Sequence, residues 1–414
     1  MTHAVSWPLF TLKLSLDAAL ATPPLATLLP LNIMNILLVG NYLPDRQESM
    51  QRVAHLLEAE LQRAGHSVRL IRPDPWLGRL KPGPTGLGKW LGYGDKFLIF
   101  PPRLKKALKW ADVVHLCDHS NAFYTQYLQD VPHVVICNDL LAVRSALGEI
   151  PQNPTRWSGR KLQQLILSGL NRSQRVVCVS EQTRQDVLRL TTLAPEAVSV
   201  VYWGLNYPYS PLPIATAQEE VARFGIPTDV PYFLHVGGEH WYKNRFGVLQ
   251  IFQAVCSRLC ASHPLPNLVI AGAALPEESK RWLEAQGLTA QVFEATGVSN
   301  ESLRALYSAA QALIFPSLQE GFGWPVLEAH ACGCPVFTSD RAPMTEVGGE
   351  AAFYIHPEDI EASAETIVRH LPQLGESVSK NLHNAERFSN QEMIESYLHY
   401  YKLAIQEVRR IENE

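Results

Sequence analysis

Two glutamates with seven residues between them, Glu320 and Glu328, stand out in this 414-residue chain because their surroundings suit ligand binding. The apolar run 312–315 predicts a buried strand, the glycine-bearing stretch after it predicts a loop, and Pro325 suits the start of a helix. These positions predict Glu328 in the first turn of that helix. An ionised glutamate accepts hydrogen bonds from hydroxyls, so the pair could hold the sugar parts of a ligand.

The loop before this helix favours an anionic ligand. Gly321 and Gly323 allow a ligand to approach the backbone closely. The N–H groups around Phe322, Gly323 and Trp324 are predicted to point out of the helix start, where the helix dipole adds partial positive charge. A phosphate would be stabilised there. An ordinary helix cap with acidic residues is the alternative interpretation, and the two glutamates alone do not decide between them.

A lysine stands in a second glycine-bearing turn. Gly237 and Gly238 follow the predicted strand 232–236, and Lys243 lies where the next helix begins. The helix dipole disfavours a cation at that position, so a lysine there favours a role with a ligand over a plain surface position. A mobile ammonium group suits a diphosphate.

Polar residues also follow the predicted strand at 111–117. Groups just past the carboxyl end of a parallel strand line the crevice where ligands bind in open α/β sheets. The choice among His115, Asp118 and His119 as the group that faces the substrate stays open. Position favours His119 with Asp118, because His115 falls within the strand and is predicted to be packed.

The elements that must position these groups alternate between strand and helix. The strand at 35–39, the helix at 48–64 and the strand at 66–71 predict a parallel sheet, and a second alternation from residue 232 onward predicts another. A dinucleotide fold would need G-x-G-x-x-G after the first strand, where only Gly40 is present. This disfavours an oxidoreductase.

The segment 316–336, which reads PSLQEGFGWPVLEAHACGCPV, resembles the Glu-x7-Glu signature of retaining glycosyltransferases of family four. The resemblance implies an α/β GT-B fold, in which two Rossmann-like doubly wound domains face a central cleft. It implies a UDP- or GDP-sugar donor on the second domain, a saccharide or lipid-linked acceptor on the first, and no metal or other cofactor. By the resemblance, Glu320 holds sugar hydroxyls, Glu328 holds the ribose, and the first turn at Gly40 touches the donor diphosphate.

The chain departs from the family pattern at two places. The arginine usually found five residues before the lysine is Gly238 here, so neutralisation of the diphosphate rests on Lys243, with Arg245 as a substitute. The histidine of the family's His-Asp-Leu motif is Asn138, which can hydrogen-bond but cannot act as an acid or base.

The proline-rich stretch 207–213 is the predicted linker between the two domains. Before Met34, which is the predicted natural start, the chain is poor in charge and is expected to be poorly ordered. Four segments follow from this division: an N-terminal extension at 1–33, an acceptor-binding domain at 34–206, a donor-binding domain at 207–389 and a helix at 390–414 that returns to the first domain.

Composition narrows the classes of partner and compartment. The net charge is -4 and charged residues make up 18% of the chain, so no global attraction to nucleic acid is expected. The seven cysteines lack a metal-type CxxC pair and are predicted to be reduced, buried thiols, which favours a cytoplasmic location. A disulfide or metal role for them is the minority alternative.

Residues 76–110 combine many bases with interleaved aromatic rings. Such a surface could contact anionic lipid at the inner face of a membrane or hold an anionic acceptor. A solvated face with its rings in the core is the favoured interpretation.

The resemblance, with the residues above, implies a metal-independent retaining hexosyltransferase, which would move a hexose from a nucleotide sugar to an acceptor hydroxyl. Two alternatives are a non-catalytic nucleotide-sugar-binding protein on the same fold, suggested by Gly238 and Asn138, and a GT-B sugar-nucleotide epimerase or phosphorylase. Both rank lower because the segment from Glu320 to Glu328 is intact.

Overall fold

The computed structural model describes residues 33–81, 83, 86–259 and 265–413. Within them the chain forms two six-stranded sheets whose strand pairs are all parallel. The first sheet contains β1 (Asn35–Val39), β2 (Ser67–Ile71), β3 (Val113–Leu116), β4 (His133–Cys137), β5 (Arg175–Cys178) and β6 (Val198–Val200). The second contains β7 (Tyr232–Gly237), β8 (Asn267–Gly272), β9 (Val292–Ala295), β10 (Ala312–Phe315), β11 (Val336–Ser339) and β12 (Phe353–Ile355).

Each sheet reverses the direction of its winding once. The first has the order β2-β1-β3-β4-β5-β6, so its switch point lies between β1 and β3. The second has the order β12-β11-β10-β7-β8-β9, so its switch point lies between β7 and β10. Ligands of doubly wound sheets bind outside the carboxyl ends of the strands at such a point.

Helices connect the strands. Those of the first part of the chain are α1 (Glu48–Arg63), α2 (Gly86–Gly94), α3 (Phe100–Leu108), α4 (Leu141–Leu147), α5 (Trp157–Leu170) and α6 (Glu181–Leu190). They are followed by α7 (Ile214–Ala222), α8 (Arg245–Arg258), α9 (Glu277–Ala285), α10 (Asn300–Ala309), α11 (Trp324–Ala331), α12 (Met344–Gly348), α13 (Ile360–His370), α14 (Leu374–Ala385) and α15 (Asn390–Asn413).

Both faces of the first sheet are buried, as parallel sheets require. Alternate side chains of β1 enter different cores, since Ile36 and Leu38 pack in one cluster and Leu37 and Val39 in another. The predicted strands at 35–39 and 312–315 are confirmed. The predicted helix at 48–64 ends one residue earlier, at Arg63.

The last helix, α15, packs on the first sheet. The Tyr401 hydroxyl contacts His115 of β3, the Gln174 amide donates to the Ala404 carbonyl at 2.8 Å, and Arg175 pairs with a residue of the same helix, Glu407. The return of the final helix is thus observed, while the division at residue 207 stays a prediction. The expectations for residues 1–32 and Cys260 fall outside the described residues.

The basic segment 76–110 divides its aromatic rings between core and solvent. Phe100 is buried, whereas Trp76 and Trp90 are 63% and 58% exposed. The only acid of the segment, Asp95, is buried and accepts hydrogen bonds from the Tyr42 hydroxyl at 2.7 Å and from a backbone N–H group. The exposed surface of the segment therefore carries bases and apolar rings without a carboxylate among its described residues.

Candidate functional site

Lys243 and Glu320 meet at the switch point of the second sheet. The Lys243 Nζ lies 2.7 Å from Glu320 Oε1, and both side chains are largely buried. The Ser317 hydroxyl donates to the same oxygen at 2.8 Å. Because both contacts use Oε1, the carboxylate is held in place while Oε2 can accept a hydrogen bond from a ligand.

Glu328 lies in the second turn of its helix, so its prediction in the first turn is wrong. The helix begins at Trp324, with Gly323 at its cap in the left-handed region (φ 105°). This start places Glu328 four residues further on, a full turn along the helix. Its side chain consequently faces the interior of the protein instead of the exposed helix end.

The Glu328 carboxyl is buried, and the Tyr307 hydroxyl donates to its Oε2 at 3.0 Å. Burial raises the pKa of this carboxyl to about 7, against the opposing effects of the Tyr307 hydrogen bond and the charges of Arg52 and Lys243. The group therefore titrates near neutral pH.

Gly321, in the loop between β10 and α11, packs against the first sheet. Its carbonyl accepts a 2.8 Å hydrogen bond from the Ser180 hydroxyl, and a Cβ at this position would lie 2.1 Å from the Asn138 carbonyl oxygen. Only glycine permits this approach. The loop that carries Glu320 is thus positioned by strand ends of the other sheet.

The rest of the loop is also anchored. Phe322 is buried, and the Trp324 indole N–H donates to the Gly204 carbonyl at 3.1 Å. The predicted phosphate-binding residues of this loop are therefore brought together at the start of α11, next to Glu320.

The glycine turn after β7 leaves Lys243 as the nearest described cation to Glu320. A Cβ at Gly237 would lie 3.3 Å from His235 Nε2 and 3.4 Å from the Lys243 side chain, so this turn packs closely against the lysine. At Gly238 the nearest atom to a Cβ would be 3.8 Å away, so a side chain there has space. Arg245 is buried and turns aside, since its guanidinium donates to the Ala273 carbonyl at 2.6 Å.

A second polar cluster lies at the switch point of the first sheet. Asp118 is buried and accepts hydrogen bonds from the amides of Asn41 at 2.8 Å and Asn138 at 3.0 Å, and from the Ser120 hydroxyl. The His119 Nδ1 lies 3.0 Å from Asp118 Oδ1. The predicted pair of Asp118 and His119 therefore lies in one polar cluster, in which His119 Nδ1 and Asn138 Oδ1 are buried without a hydrogen-bond partner among the described residues.

The charges of this cluster stabilise one another. Burial raises the pKa of Asp118, but the charge of His119 and the hydrogen bonds hold it well below its usual range. Burial also lowers the pKa of His119, and the charge of Asp118 outweighs that effect, so the net shift is upward. His115 instead packs against Tyr397 and Tyr401, and burial lowers its pKa to about 3.

Sequence reasoning did not single out two residues that join distant parts of the chain in the structure. Asn41 follows Gly40 at the end of β1, and the rule that identified Asp118 at a strand end could have found it. Glu346 accepts hydrogen bonds from the backbone N–H groups of Glu181 at 2.7 Å and Gln182 at 3.0 Å, across the cleft. No local spacing could reveal that contact. Gly40 itself is buried behind these residues, with its N–H donated to the Ile71 carbonyl.

In the part of the chain that the structure describes, no group of three or more histidine, cysteine, aspartate or glutamate side chains is placed to hold a metal ion. In the same residues, no helix is long and apolar enough to cross a membrane. The six cysteines among them are free and buried.

Two family models match successive parts of the chain. Residues 50–207 match the model described as glycosyltransferase family 4, and residues 216–381 match that of the glycosyl transferases group 1. The structure is similar to sucrose-phosphate synthase from Thermosynechococcus elongatus, with a TM-score of 0.68 at 20% identity over 89% of this chain and 98% of the other. It is also similar to Anabaena HepE in complex with UDP and glucose, with a TM-score of 0.66 at 14% identity over 88% and 98%. These structures show a GT-B fold, and the chain belongs to the family-four glycosyltransferases.

Among curated proteins, O-antigen chain mannosyltransferase B of Escherichia coli is 26% identical over 59% of this chain and 64% of the relative. The D-inositol 3-phosphate glycosyltransferase of Mycolicibacterium smegmatis is 26% identical over 67% and 63%. The matches thus span slightly less than two thirds of these relatives.

Proposed function

We propose that the protein is a retaining glycosyltransferase that moves a hexose from a nucleotide sugar to an acceptor hydroxyl. One observation carries this proposal: Lys243 and Glu320 form a 2.7 Å pair across the switch point of the second sheet. A ligand bound there meets a cation suited to a diphosphate beside a carboxylate suited to sugar hydroxyls.

The charges in the site suit departure of a nucleoside diphosphate. Lys243 and the N–H groups at Gly323 and Trp324 would stabilise the negative charge that grows on the leaving group, so the proposed reaction needs no metal. Glu320 would hold the sugar hydroxyls and Glu328 the ribose. The departing phosphate would take the proton of the acceptor hydroxyl. We assign no side-chain nucleophile.

The relatives support the choice of substrates. The names of several specify mannosyl transfer, and HepE is described in complex with UDP and glucose. We therefore propose a UDP- or GDP-hexose as donor and a saccharide or lipid-linked saccharide as acceptor.

The donor proposal is tested by thermal unfolding with a panel of UDP-, GDP- and ADP-sugars. A ligand that binds the folded state raises the melting temperature. We expect one nucleotide class to stabilise the wild type and to have little effect on Glu328→Ala. An absence of stabilisation by every member of the panel would contradict the proposal.

The chemistry is tested with the nucleotide sugar that binds. Proton NMR of the first product formed should show the anomeric configuration of the donor, and EDTA should leave the rate unchanged. Binding without turnover would favour the non-catalytic alternative. Conversion without an acceptor would favour an epimerase, and a requirement for inorganic phosphate would favour a phosphorylase.

We also propose that the protein works at the cytoplasmic face of a membrane and contacts it through residues 76–110. Free, buried thiols are typical of a reducing compartment. Large apolar side chains are exposed in this segment, and anionic lipid attracts nearby bases by about 1 kcal/mol each. The exposed apolar residues are Trp76, Leu80, Leu87, Trp90, Leu98 and Ile99.

Liposome co-sedimentation tests the membrane contact. We expect binding to vesicles that contain anionic lipid, and we expect Trp90→Ser combined with Leu98→Ser to abolish it. Trp157→Ser is the matched control, because Trp157 is 70% exposed on α5, outside this segment. Equal sedimentation with neutral and anionic vesicles, or no loss in the double variant, would contradict the contact.

A further inference from the structure

The start of α6, on the first sheet, receives a carboxylate from the second sheet. Glu346 is a half-buried residue of α12, which follows β11. Its Oε2 accepts a hydrogen bond from the Glu181 N–H at 2.7 Å, and its Oε1 accepts one from the Gln182 N–H at 3.0 Å. The hydroxyl of Tyr202, just after β6, also donates to Oε2, at 3.2 Å. All three donors belong to the part of the chain that builds the first sheet, so one side chain joins the two sheets.

The N–H groups that Glu346 accepts have no partner within their own helix. The first N–H groups of an α-helix lie beyond the reach of its carbonyls. Ser180 satisfies one of them, since its hydroxyl accepts the Thr183 N–H at 3.2 Å. Glu346 satisfies the two that precede it. The helix dipole favours an anion at this end, and a hydrogen bond to a carboxylate is stronger than one between neutral groups.

An ordinary helix cap comes from the adjoining residues. Asp359 caps α13 in this way, because its Oδ1 accepts the Ala362 N–H at 3.0 Å, three residues further along the chain. Glu346 instead lies 165 and 164 positions from its two backbone donors. Its loss would therefore loosen one sheet from the other, besides exposing the end of a helix.

The turn at the start of α6 lies beside both polar clusters of the site. The Ser180 hydroxyl donates to the Gly321 carbonyl at 2.8 Å, and Gly321 packs on the Asn138 carbonyl. The Asn138 amide donates to Asp118 at 3.0 Å. A movement of this turn relative to the second sheet would change the distance between the loop of Glu320 and the first cluster. A misplacement of about 1 Å in an active site can cost about a hundredfold in rate.

We propose that Glu346 is a positioning residue for the reaction. By holding the start of α6 against the second sheet, it sets the separation between the loop of Glu320 and the cluster of Asp118 and His119. This inference rests on the proposed transferase function. The effect is indirect, because both oxygens of Glu346 are occupied by donors of the first sheet. Glu346 should therefore matter for transfer and matter little for binding of the nucleoside diphosphate.

Hydrogen exchange measured residue by residue tests the contact itself, without any substrate. The first N–H groups of a helix exchange readily unless something outside the helix accepts them. We expect Glu181 and Gln182 to exchange at least about tenfold faster in Glu346→Ala than in the wild type, as for loss of a hydrogen bond to a charged group. The N–H groups in the last turn of α6 are the internal control and should not change. Equal exchange of Glu181 and Gln182 in the two proteins would overturn the inference.

Glu346→Gln tests the role in transfer with a side chain of the same size. The amide offers one acceptor oxygen to the two backbone N–H groups and turns its own N–H groups toward the other, so the contact is weakened without a cavity. We expect kcat to fall by about tenfold or more, with the dissociation constant of the nucleoside diphosphate unchanged within about twofold. Asp359→Asn is the matched control, because it replaces a capping carboxylate by an amide without touching the first sheet. It should keep its kcat.

The outcomes separate this inference from the function proposed above. Equal kcat values of Glu346→Gln and Asp359→Asn, in a wild type that transfers sugar, would leave the transferase standing and reduce Glu346 to an ordinary cap. A weaker affinity for the nucleoside diphosphate that accounts for the whole kinetic effect would also overturn the inference. A wild type without activity toward any nucleotide sugar would remove the transferase and the positioning role together, while the exchange data would still show whether the two sheets are joined.

Discussion

The two sheets each carry a polar contact across their switch point, and the two contacts differ in kind. In the first, Asn41 donates to Asp118 at 2.8 Å within a network that surrounds a buried carboxylate. In the second, Lys243 and Glu320 form a 2.7 Å pair that uses one carboxylate oxygen. The same topology thus gives one carboxylate whose two oxygens both accept hydrogen bonds and one with an oxygen that a ligand can still engage. Changes at the first should mainly affect stability, and changes at the second should mainly affect catalysis.

The largest effect is expected for Asp118→Asn. The new amide would face the amide donors of Asn41 and Asn138 and would leave His119 without its charge partner. Removing one partner of a buried pair costs about 3–5 kcal/mol, so urea denaturation should show a large loss in the free energy of unfolding.

The pH dependence of this loss has a definite sign. Asp118 has a lowered pKa, so its contribution is present above the usual carboxyl value and is lost in acid. His119 has a raised pKa, so its contribution is present below the usual imidazole value and is lost as the pH rises through the raised one. The wild type should exceed Asp118→Asn most between about pH 4 and pH 6.5. A difference that does not change with pH, or a decline of the difference on the alkaline side that persists in the His119→Gln background, would contradict the charge coupling.

At the second switch point, Glu320→Gln should lower kcat/KM by about 100- to 1000-fold, the range found when one preorganised polar group of an active site is removed. The amide keeps an acceptor for Ser317 but leaves the largely buried Lys243 without its charge partner, so urea denaturation must also show that the variant is folded under the assay conditions. Steady-state kinetics with the donor identified by thermal stabilisation measures the effect.

Glu361→Gln is the matched control for Glu320→Gln. Glu361 also pairs with a cation, Arg258, but is exposed and lies on α13. Glu361→Gln should therefore leave kcat/KM unchanged. Equal kinetic effects of the two substitutions would show that the second cluster is no more catalytic than a surface ion pair.

The part of the site that could be predicted is the part that is local in sequence. Strand, loop and helix around Glu320 lie within one short segment, so residue types and spacing placed them correctly, apart from the turn that carries Glu328. The contact between Asn41 and Asp118 spans 77 positions and depends on the order of strands in the sheet. The contact between Glu346 and Glu181 spans 165 and depends on how the two sheets face each other. Periodicity contains neither kind of information.

The segment 76–110 shows a second limit of sequence reasoning. Rings at similar spacings were expected in the core, yet Trp90 is exposed and Phe100 is buried. Which rings a helix buries depends on the elements that cover it, and those elements are distant in the chain.

A smaller effect is expected from the titration of Glu328. Its pKa of about 7 lies above the unfolded value, so the folded state binds more protons between about pH 4.5 and 7 and stability should fall as the pH rises through that window. The ionised carboxylate is the better acceptor for ribose hydroxyls. Affinity for the nucleoside diphosphate should therefore improve by about tenfold from pH 6 to pH 8.

Calorimetric titration of the wild type and Glu328→Gln across this range checks the assignment. The variant should show weaker binding with little pH dependence, because its amide does not titrate. The same pH profile in both proteins would assign the titration to another group.

The smallest effect is expected for Ser180→Ala, which tests whether the first sheet helps to position the loop that carries Glu320. The Ser180 hydroxyl accepts a hydrogen bond from the Thr183 N–H at the start of α6. It also donates a hydrogen bond to the Gly321 carbonyl, in the loop between β10 and α11. Loss of the cap should cost about 1 kcal/mol of stability. Loss of the contact with the loop should lower kcat severalfold with little change in the donor dissociation constant, because Glu320 would be held less firmly.

A second serine cap separates these two consequences. Ser299 caps α10 in the same way, by accepting a hydrogen bond from the Ser302 N–H, and its hydroxyl makes no hydrogen bond to the loop between β10 and α11. Ser299→Ala should therefore lose a similar amount of stability and keep its kcat. The kcat of Ser180→Ala should be measured at a temperature where the variant is as stable as the wild type. If its kcat is also unchanged there, the loop is positioned by the second domain alone. If only Ser180→Ala is slowed, the first sheet helps to position the loop of Glu320 through the hydrogen bond from Ser180 to the carbonyl of Gly321.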